Sequence, residues 1–472
     1  MEFKLYNSLS RTIENFVPIH PPDVGMYTCG MTVYDYAHVG HGRKYVVDDI
    51  LRRVLTRFGY NVTHVQNVTD VGHLVSDADA GEDKLEKGAK KRGTTVWEVA
   101  EFFAKHFFDS MDRLNVLRPT VICRATDHIP EQIALVARLM NKGVAYDTPE
   151  AVYFEVSKFP KYESLFGNQQ LAEKQTAVRR AVQTGEHKKH AADFALWFKR
   201  VGRFADHTMH WTSPWGDGFP GWHIECSAMS MKYLGETFDI HTGGVDHIPV
   251  HHPNEIAQSE AATGKPFVRH WIHCAFLTVD GKKMSKSLGN FYTIEDIVNK
   301  EFDPLALRYF YLTAHYRKTQ NFTWEGLAAA QNSLNELRKQ LAGMRRSGRS
   351  SLSEEKLEKV DAYRKRFDGA LADDLNTPQA LAAVWEVVKS NIPPPDKHDL
   401  LIDFDDVLGL KLNEVGSVQA EKIPKEIQAL AKKREQLRAE KKFTDADTIR
   451  KEIESKGYIL EDTPTGPLIS RS

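Results

Sequence analysis

The chain has 472 residues, 41% of them hydrophobic and 27% charged, which suits about three domains at ~150 residues each. A formal net charge of −1 excludes a general electrostatic pull on nucleic acid, so any such binding must use local basic faces. No run of roughly 18 apolar residues is present, so no membrane-spanning helix is expected.

Four cysteines, Cys29, Cys123, Cys226 and Cys274, are too few for a disulfide framework. The opening Met1-Glu2-Phe3-Lys4-Leu5 lacks the apolar stretch of a signal peptide, and a cytoplasmic location is the expectation.

Val24–Cys29 reads as a strand, Gly30–Gly42 as a glycine-containing loop, and Val46, Val47, Ile50, Leu51, Val54, Leu55 and Phe58 recur at helical spacing. Tyr60–Val68 reads as the next strand of a doubly wound sheet. Residues 71–95 are charge-rich and predict a solvated loop, followed by a helix around Val96–Leu117. Residues 118–215 hold a helix near Pro130–Lys142 and the polar stretch Thr184–His190, and read as a domain inserted between two halves of the sheet.

Phe238–His241 with Gly243-Gly244 predicts a returning strand and a tight turn, and Trp271–Val279 another strand. Thr293 and Asp296 have capping-box spacing. From Pro304 to about Asn391 the pattern is helical, and Pro393-Pro394-Pro395 breaks it. Ile423–Glu454 predicts charged helices, and Gly457 onward a short β segment.

Two segments carry the chemistry. His38-Val39-Gly40-His41 sits where a helix starts, and unpaired N–H groups there favour phosphate. Positioned imidazoles add donors for charge building on phosphate oxygens, and Gly40 allows close approach. Lys283-Met284-Ser285-Lys286-Ser287 places two ammonium groups on a loop bracketed by Gly281 and Gly289. Either alone is a weak signal that also suits a surface turn; in this order, each beside a strand, they imply a split ATP site.

With Ala192–Trp197, Pro220–Met229 and Asp373–Pro378, the chain resembles the cysteinyl-tRNA synthetases, a family of class I aminoacyl-tRNA synthetases, from Leu5 to Leu460–Thr463. The resemblance implies a zinc, one per chain, on Cys29, Cys226, His251 and Glu255; thiolate, imidazole and carboxylate are all zinc ligands. Taken alone, Cys29 and Cys226 read equally as buried small hydrophobes, which is the expectation for Cys123 and Cys274.

His251 and Glu255 share a face if helical, and Pro253 between them requires a helix start there. His252 is expected beside the ligands rather than among them. The resemblance also implies that Gly30, Thr69, Trp222 and His241 surround the amino acid and that Asp246 contacts the nucleotide. Each of Thr69, Trp222 and His241 also has an ordinary structural reading. The segment Val71–Gly81 departs from the family as an insertion.

The implied fold is a Rossmann-like, doubly wound parallel α/β catalytic domain (1–117 and 216–270) with an inserted domain (118–215), a lysine-loop region (271–316), an α-helical bundle (317–400) and a small anticodon-binding domain (401–472). The implied activity is ATP-dependent activation of L-cysteine, with Mg2+, and transfer to tRNA(Cys) by a monomer. A basic run from Lys432 to Lys442 is the part that would meet the anticodon, although interleaved acids also suit a solvated face. A cysteine ligase acting on an amino sugar and a non-catalytic tRNA-binding relative remain alternatives at this point.

Overall fold

Strands β1 (Asp23–Thr28), β2 (Asn61–Val68), β3 (Val121–Arg124), β4 (Phe238–Gly244) and β5 (Val268–Cys274) form one all-parallel sheet in the order β5-β4-β1-β2-β3. The computed structural model describes residues 2–72, 74–76, 80–162, 165, 187–285, 288–344, 352–414, 424–440, 442–463 and 466–471. The chain winds from β1 outward through β2 and β3, then returns on the other side of β1 as β4 and β5. The switch between β1 and β4 opens a crevice at the carboxyl ends of the strands, where such sheets bind ligands. The architecture is thus the Rossmann-like α/β fold that the sequence implied, with an inserted domain and a helical region behind it.

The helices that frame the sheet are α1 (Val39–Arg57), α2 (Lys84–Arg92), α3 (Val96–Arg113), α4 (Ile129–Asn141), α5 (Trp222–Leu234) and α6 (His251–Thr263). Between β3 and α5, five antiparallel strands form the inserted sheet, around Tyr153, Ala195, Phe198, Phe204 and Phe219. The part of the polar stretch at residues 184–186 lies outside the described residues.

Four expectations need correction. The loop after β1 ends at His38, because α1 begins at Val39, seven residues before its apolar stripe. Gly243-Gly244 is not a turn: β4 runs through both, pairing them with His273 and Cys274. Glycine is required at 243 because a Cβ there would come within 2.6 Å of the His252 ring and 2.8 Å of His247. Trp271–Val279 is two strands, since the Ala275 and Phe276 carbonyls turn aside to accept from Arg43 Nη1 at 2.8 Å each. Leu277–Val279 then joins Lys282–Lys283 and Gln320–Phe322 in a separate small sheet.

The charge-rich stretch 71–95 is also no simple loop, since Lys84–Arg92 is helix α2 and the insertion before it pairs with itself. Leu74–Ser76 and Ala80–Asp83 pair antiparallel, and Asp83 is buried, capping α2 and meeting His207 Nε2 at 2.9 Å. Asp77 and Asp79 lie outside the described residues.

Helices at Pro304–Leu312, Trp324–Met344, Glu354–Ala372, Thr377–Lys389 and Pro394–Leu408 follow. Trp324–Met344 buries Leu327, Ala330, Leu334, Leu337, Leu341 and Met344, a stripe at alternating spacings of three and four. The proline run ends one helix and starts another, since Pro394 stands at N1 where no N–H is missed.

Arg308 ties this region to the catalytic sheet. Its guanidinium is fully buried and donates to Asp49 Oδ2 at 2.6 Å, Leu408 O at 2.6 Å, and Leu114 O and Asn115 O at 3.0 Å. Burial works against ionisation of Asp49, but Arg308 and Arg53 hold its pKa below the usual carboxylate range.

Residues Lys411–Ser472 form a second compact unit. Helices Lys425–Ala439 and Phe443–Ser455 enclose Ile427, Ala431, Ile449 and Ile453, and a terminal hairpin (Tyr458–Thr463, Gly466–Arg471) adds Leu460.

Arg308→Leu should strand the Asp49 carboxylate and cost about 3–5 kcal/mol, read as a lower denaturant midpoint. Asp49 has a depressed pKa, so its share of stability should be complete above about pH 4 and vanish as acid carries the pH through the folded value.

Candidate active site and metal centre

A cleft of about 580 Å³ lies over the β1–β4 switch point. Cys29, Gly30 and the His38–His41 turn form one wall. Trp222, Asp246 and His251 form another, and Lys283 and Met284 approach from the lysine loop.

His38 is the N-cap of α1 and His41 its third residue. The His41 N–H donates to His38 Nδ1 at 3.1 Å and the His38 N–H to His41 Nδ1 at 3.3 Å. Each Nδ1 is therefore an acceptor, so both rings are neutral and carry their proton on Nε2. Burial also pushes the His41 pKa well below its ordinary value. The rings stack at 3.5 Å, presenting two fixed donors beside the positive end of α1.

The second motif lies against the first. A Cβ on Gly40 would stand 3.2 Å from Met284 Cε, and His38 pairs with Thr293 in a backbone bridge. Val39 N–H donates to Tyr292 O at 2.9 Å, and the Thr293–Asp296 capping box is formed as the sequence implied. Asn290 holds the loop backbone, accepting from Ser285 N–H at 2.8 Å and donating to Lys283 O at 3.2 Å. Lys283 is exposed at the cleft; Lys286 lies outside the described residues.

At the cleft floor, Cys29, Cys226, His251 and Glu255 bring one donor atom each within 4.8 Å of one another, all buried. The Sγ atoms of Cys29 and Cys226 are 4.0 Å apart. Glu255 Oε1 lies 2.9 Å from His251 Nε2 and Oε2 lies 2.9 Å from His241 Nε2. Burial alone would raise the Glu255 pKa; the two imidazoles drive it far below the carboxylate range. Burial opposes protonation of His251, but the Glu255 carboxylate raises its pKa to about 10.

Burial raises the Cys29 pKa, whereas the neighbouring Cys29 sulfur lowers that of Cys226. Two sulfurs, an imidazole and a carboxylate, all buried and converging, are a donor set that fits a divalent metal. Pro253 is the third residue of α6, as a helix start between His251 and Glu255 requires.

His252 Nε2 lies 3.5 Å from Cys29 Sγ, and Cys29, His241, His252 and Glu255 form an alternative set within the same 4.8 Å limit. His252 Nδ1 meets His273 Nε2 at 2.7 Å, and burial keeps both rings' pKa values well below normal.

The amino-acid residues divide. Trp222 lines the cleft at the first position of α5, 4.2 Å from the His251 ring. Gly30 N–H donates to Asn67 Oδ1 at 2.7 Å, and a Cβ at Gly30 would collide with the Asn67 carbonyl. Thr69 is buried and gives its hydroxyl to Glu225 Oε2 at 3.2 Å. His241 is buried against Trp271 and faces Glu255. Neither Thr69 nor His241 lines the cleft; each meets a buried carboxylate instead. Asp246 lines it from the turn after β4.

Lys44, Tyr45, His247 and Glu225 were not anticipated. Lys44 Nζ donates to Cys29 O at 2.7 Å and pairs with Asp48 at 2.9 Å, and Tyr45 OH donates to Cys29 O at 3.2 Å. The available signal was that Lys44 stands one turn after His41 on the same helix. Cys123 and Cys274 are buried and belong to neither ligand set, although Cys274 also lines the cleft, and burial raises its pKa to about 11.

The class follows from sequence and fold together. The family model described as "tRNA synthetases class I (C) catalytic domain" matches residues 15–332, and that of the DALR domain matches 366–390. Mycobacterium tuberculosis methionyl-tRNA synthetase in complex with methionyl-adenylate superposes with a TM-score of 0.58 at 16% identity, over 87% of this chain and 94% of that one, a likeness of fold.

Relatives in Burkholderia lata ("Cysteine--tRNA ligase 1") and Treponema denticola ("Cysteine--tRNA ligase") are 48% and 43% identical. The first match spans 99% of this chain and 96% of the relative, the second 98% of each. The chain belongs to the cysteine--tRNA ligase family, a family of aminoacyl-tRNA ligases.

His241→Ala removes the group that orients Glu255, so affinity for a divalent metal should fall about 10–100-fold, measured by competition with a chromogenic chelator. Unchanged affinity would remove His241 from the metal centre.

Proposed function

We propose that this chain activates L-cysteine with ATP, releasing pyrophosphate, and transfers the cysteinyl group to the 3′-terminal adenosine of tRNA(Cys). The observation that carries this reading is the buried Cys29–Cys226–His251–Glu255 cluster at the floor of a cleft walled by the paired histidines and the lysine loop.

The Nε2–H groups of His38 and His41 donate to ATP phosphate oxygens, assisted by the positive end of α1. Gly40 gives the nucleotide room, and Asp246 contacts it. Lys283 and Lys286 place positive charge on the departing pyrophosphate, with Mg2+ shared by the phosphates. The cysteine carboxylate attacks the α-phosphate. Trp222 and the Gly30 backbone flank the substrate, while Thr69 and His241 hold Glu225 and Glu255 in place.

Cys29, Cys226, His251 and Glu255 would hold one zinc, with His252 beside them. Zinc, when bound, binds a thiolate strongly and a serine hydroxyl poorly, which supplies the choice of amino acid. The segment 401–472 is assigned to the anticodon, using the basic faces of 432–442. Catalytic-domain halves at 1–117 and 216–270, the insert at 118–215, the lysine-loop region at 271–316 and the bundle at 317–400 complete the division, in a cytoplasmic monomer.

Pyrophosphate exchange into ATP should require cysteine and reject serine by ~10⁴-fold or more, and purified tRNA(Cys) should then be charged. A protein with no cysteine-dependent exchange sinks this reading, and exchange without charging assigns a different acceptor. Cys226→Ala should lose both bound zinc and the preference for cysteine. His41→Asn keeps an acceptor for the cap but loses the ring donor, so the exchange kcat should fall about 10²–10³-fold.

A further inference from the structure

Helices α2 and α3 lie beside the mouth of the cleft and carry a surface that the reaction above does not use. Their inner faces pack Leu85, Ala89, Val99 and Phe103 with Tyr36. Tyr36 itself lines the cleft, two residues before His38. From Tyr36 a ladder of flat groups leads outward. Phe102 meets the Tyr36 ring edge to face, with centroids 6.2 Å apart, and the Arg92 guanidinium lies 4.7 Å over the Phe102 ring. Phe102 is 46% exposed, a large cost for a ring that could have been buried.

The charges around the ladder are unbalanced. Lys90, Lys91 and Arg92 end α2, all exposed, and among the described residues no carboxylate pairs with them. The nearby acids are engaged elsewhere. Glu101 pairs with Arg124 at 2.6 Å, Glu98 caps α3 through Thr95, and Glu86 accepts from Thr208 N–H.

An exposed ring next to a half-buried one, flanked by exposed cations and leading to a nucleotide cleft, is a surface on which single-stranded nucleic acid can be held: bases stack and phosphates pair. A duplex offers no free base faces along its side, so the ladder suits an unpaired strand.

The geometry points to the Arg92–Phe102–Tyr36 ladder, with Lys90 and Lys91, as the docking surface for the unpaired 3′ end of the tRNA on its way into the cleft. This rests on the proposed function, which supplies the RNA.

Phe102→Leu keeps an apolar group and removes the stacking face. Charging should fall about five- to hundredfold in kcat/KM for tRNA, with cysteine-dependent exchange unchanged; Phe102→Tyr should restore it. Lys90→Ser with Lys91→Ser should lower the salt dependence of tRNA binding by about 0.7 in log–log slope for each phosphate that is no longer neutralised. Binding to tRNA trimmed of its unpaired 3′ nucleotides distinguishes strand from stem. Phe102→Leu should weaken full-length tRNA and leave the trimmed RNA unaffected.

Equal weakening on both RNAs would place the surface on the duplex stem and overturn the proposal, as would wild-type charging by Phe102→Leu. Absence of exchange in the unmodified protein would instead overturn the proposed function itself.

Discussion

Strands β1 and β4 meet in parallel with Met26 opposite Ile240, Tyr27 opposite His241 and Thr28 opposite Thr242, and the hydroxyls of the last pair lie 3.0 Å apart. Cys29 continues this register, its N–H donating to Thr242 O at 3.2 Å. Side chains alternate along a strand, so a slip of one residue would turn Cys29 to the opposite face and away from Cys226 and Glu255. The same pairing marks the switch point, since β2 lies on one side of β1 and β4 on the other. Metal centre and cleft therefore share a single structural requirement.

Around that junction the two motifs are held by backbone contacts as much as by side chains. The His38–Thr293 bridge, the Val39–Tyr292 hydrogen bond and Tyr311 OH donating to Val39 O at 2.6 Å fasten the start of α1 to the segment after the lysine loop. Arg43 donates on the far side of the same helix to the carbonyls of Ala275, Phe276, His315 and Lys318. A helix start held from both directions offers fixed dipoles to a phosphate, and fixed dipoles need no reorganisation when charge develops.

The floor of the cleft is an electrostatic exception inside an apolar core. Six histidines, His223, His241, His247, His251, His252 and His273, gather there, and His241, His251 and His252 come within 3.9 Å of the Glu255 carboxylate. Burial keeps His247, His252 and His273 below their ordinary pKa values, with His247 at about 4, whereas Glu255 pulls His251 up. His251 supplies the ionised Glu255 carboxylate with its countercharge there, a role that a metal on the adjoining sulfurs would take over.

The chemistry-bearing residue types and the helix and strand patterns were legible along the chain, because periodicity and short-range capping are local properties. The helical region from Pro304, the Thr293–Asp296 cap and the helix start around Pro253 all stand as read. What misled were places where a distant group overrides the local pattern. Arg43 splits the apolar run at Ala275–Phe276, and packed imidazoles, rather than a turn, require Gly243. Thr69 and His241 sit behind carboxylates because Glu225 and Glu255 reach them from other helices. The composition of the site was thus written in the sequence. Which atoms face the cleft was decided by tertiary packing, since burial and the pairing of charges depend on neighbours that are remote along the chain.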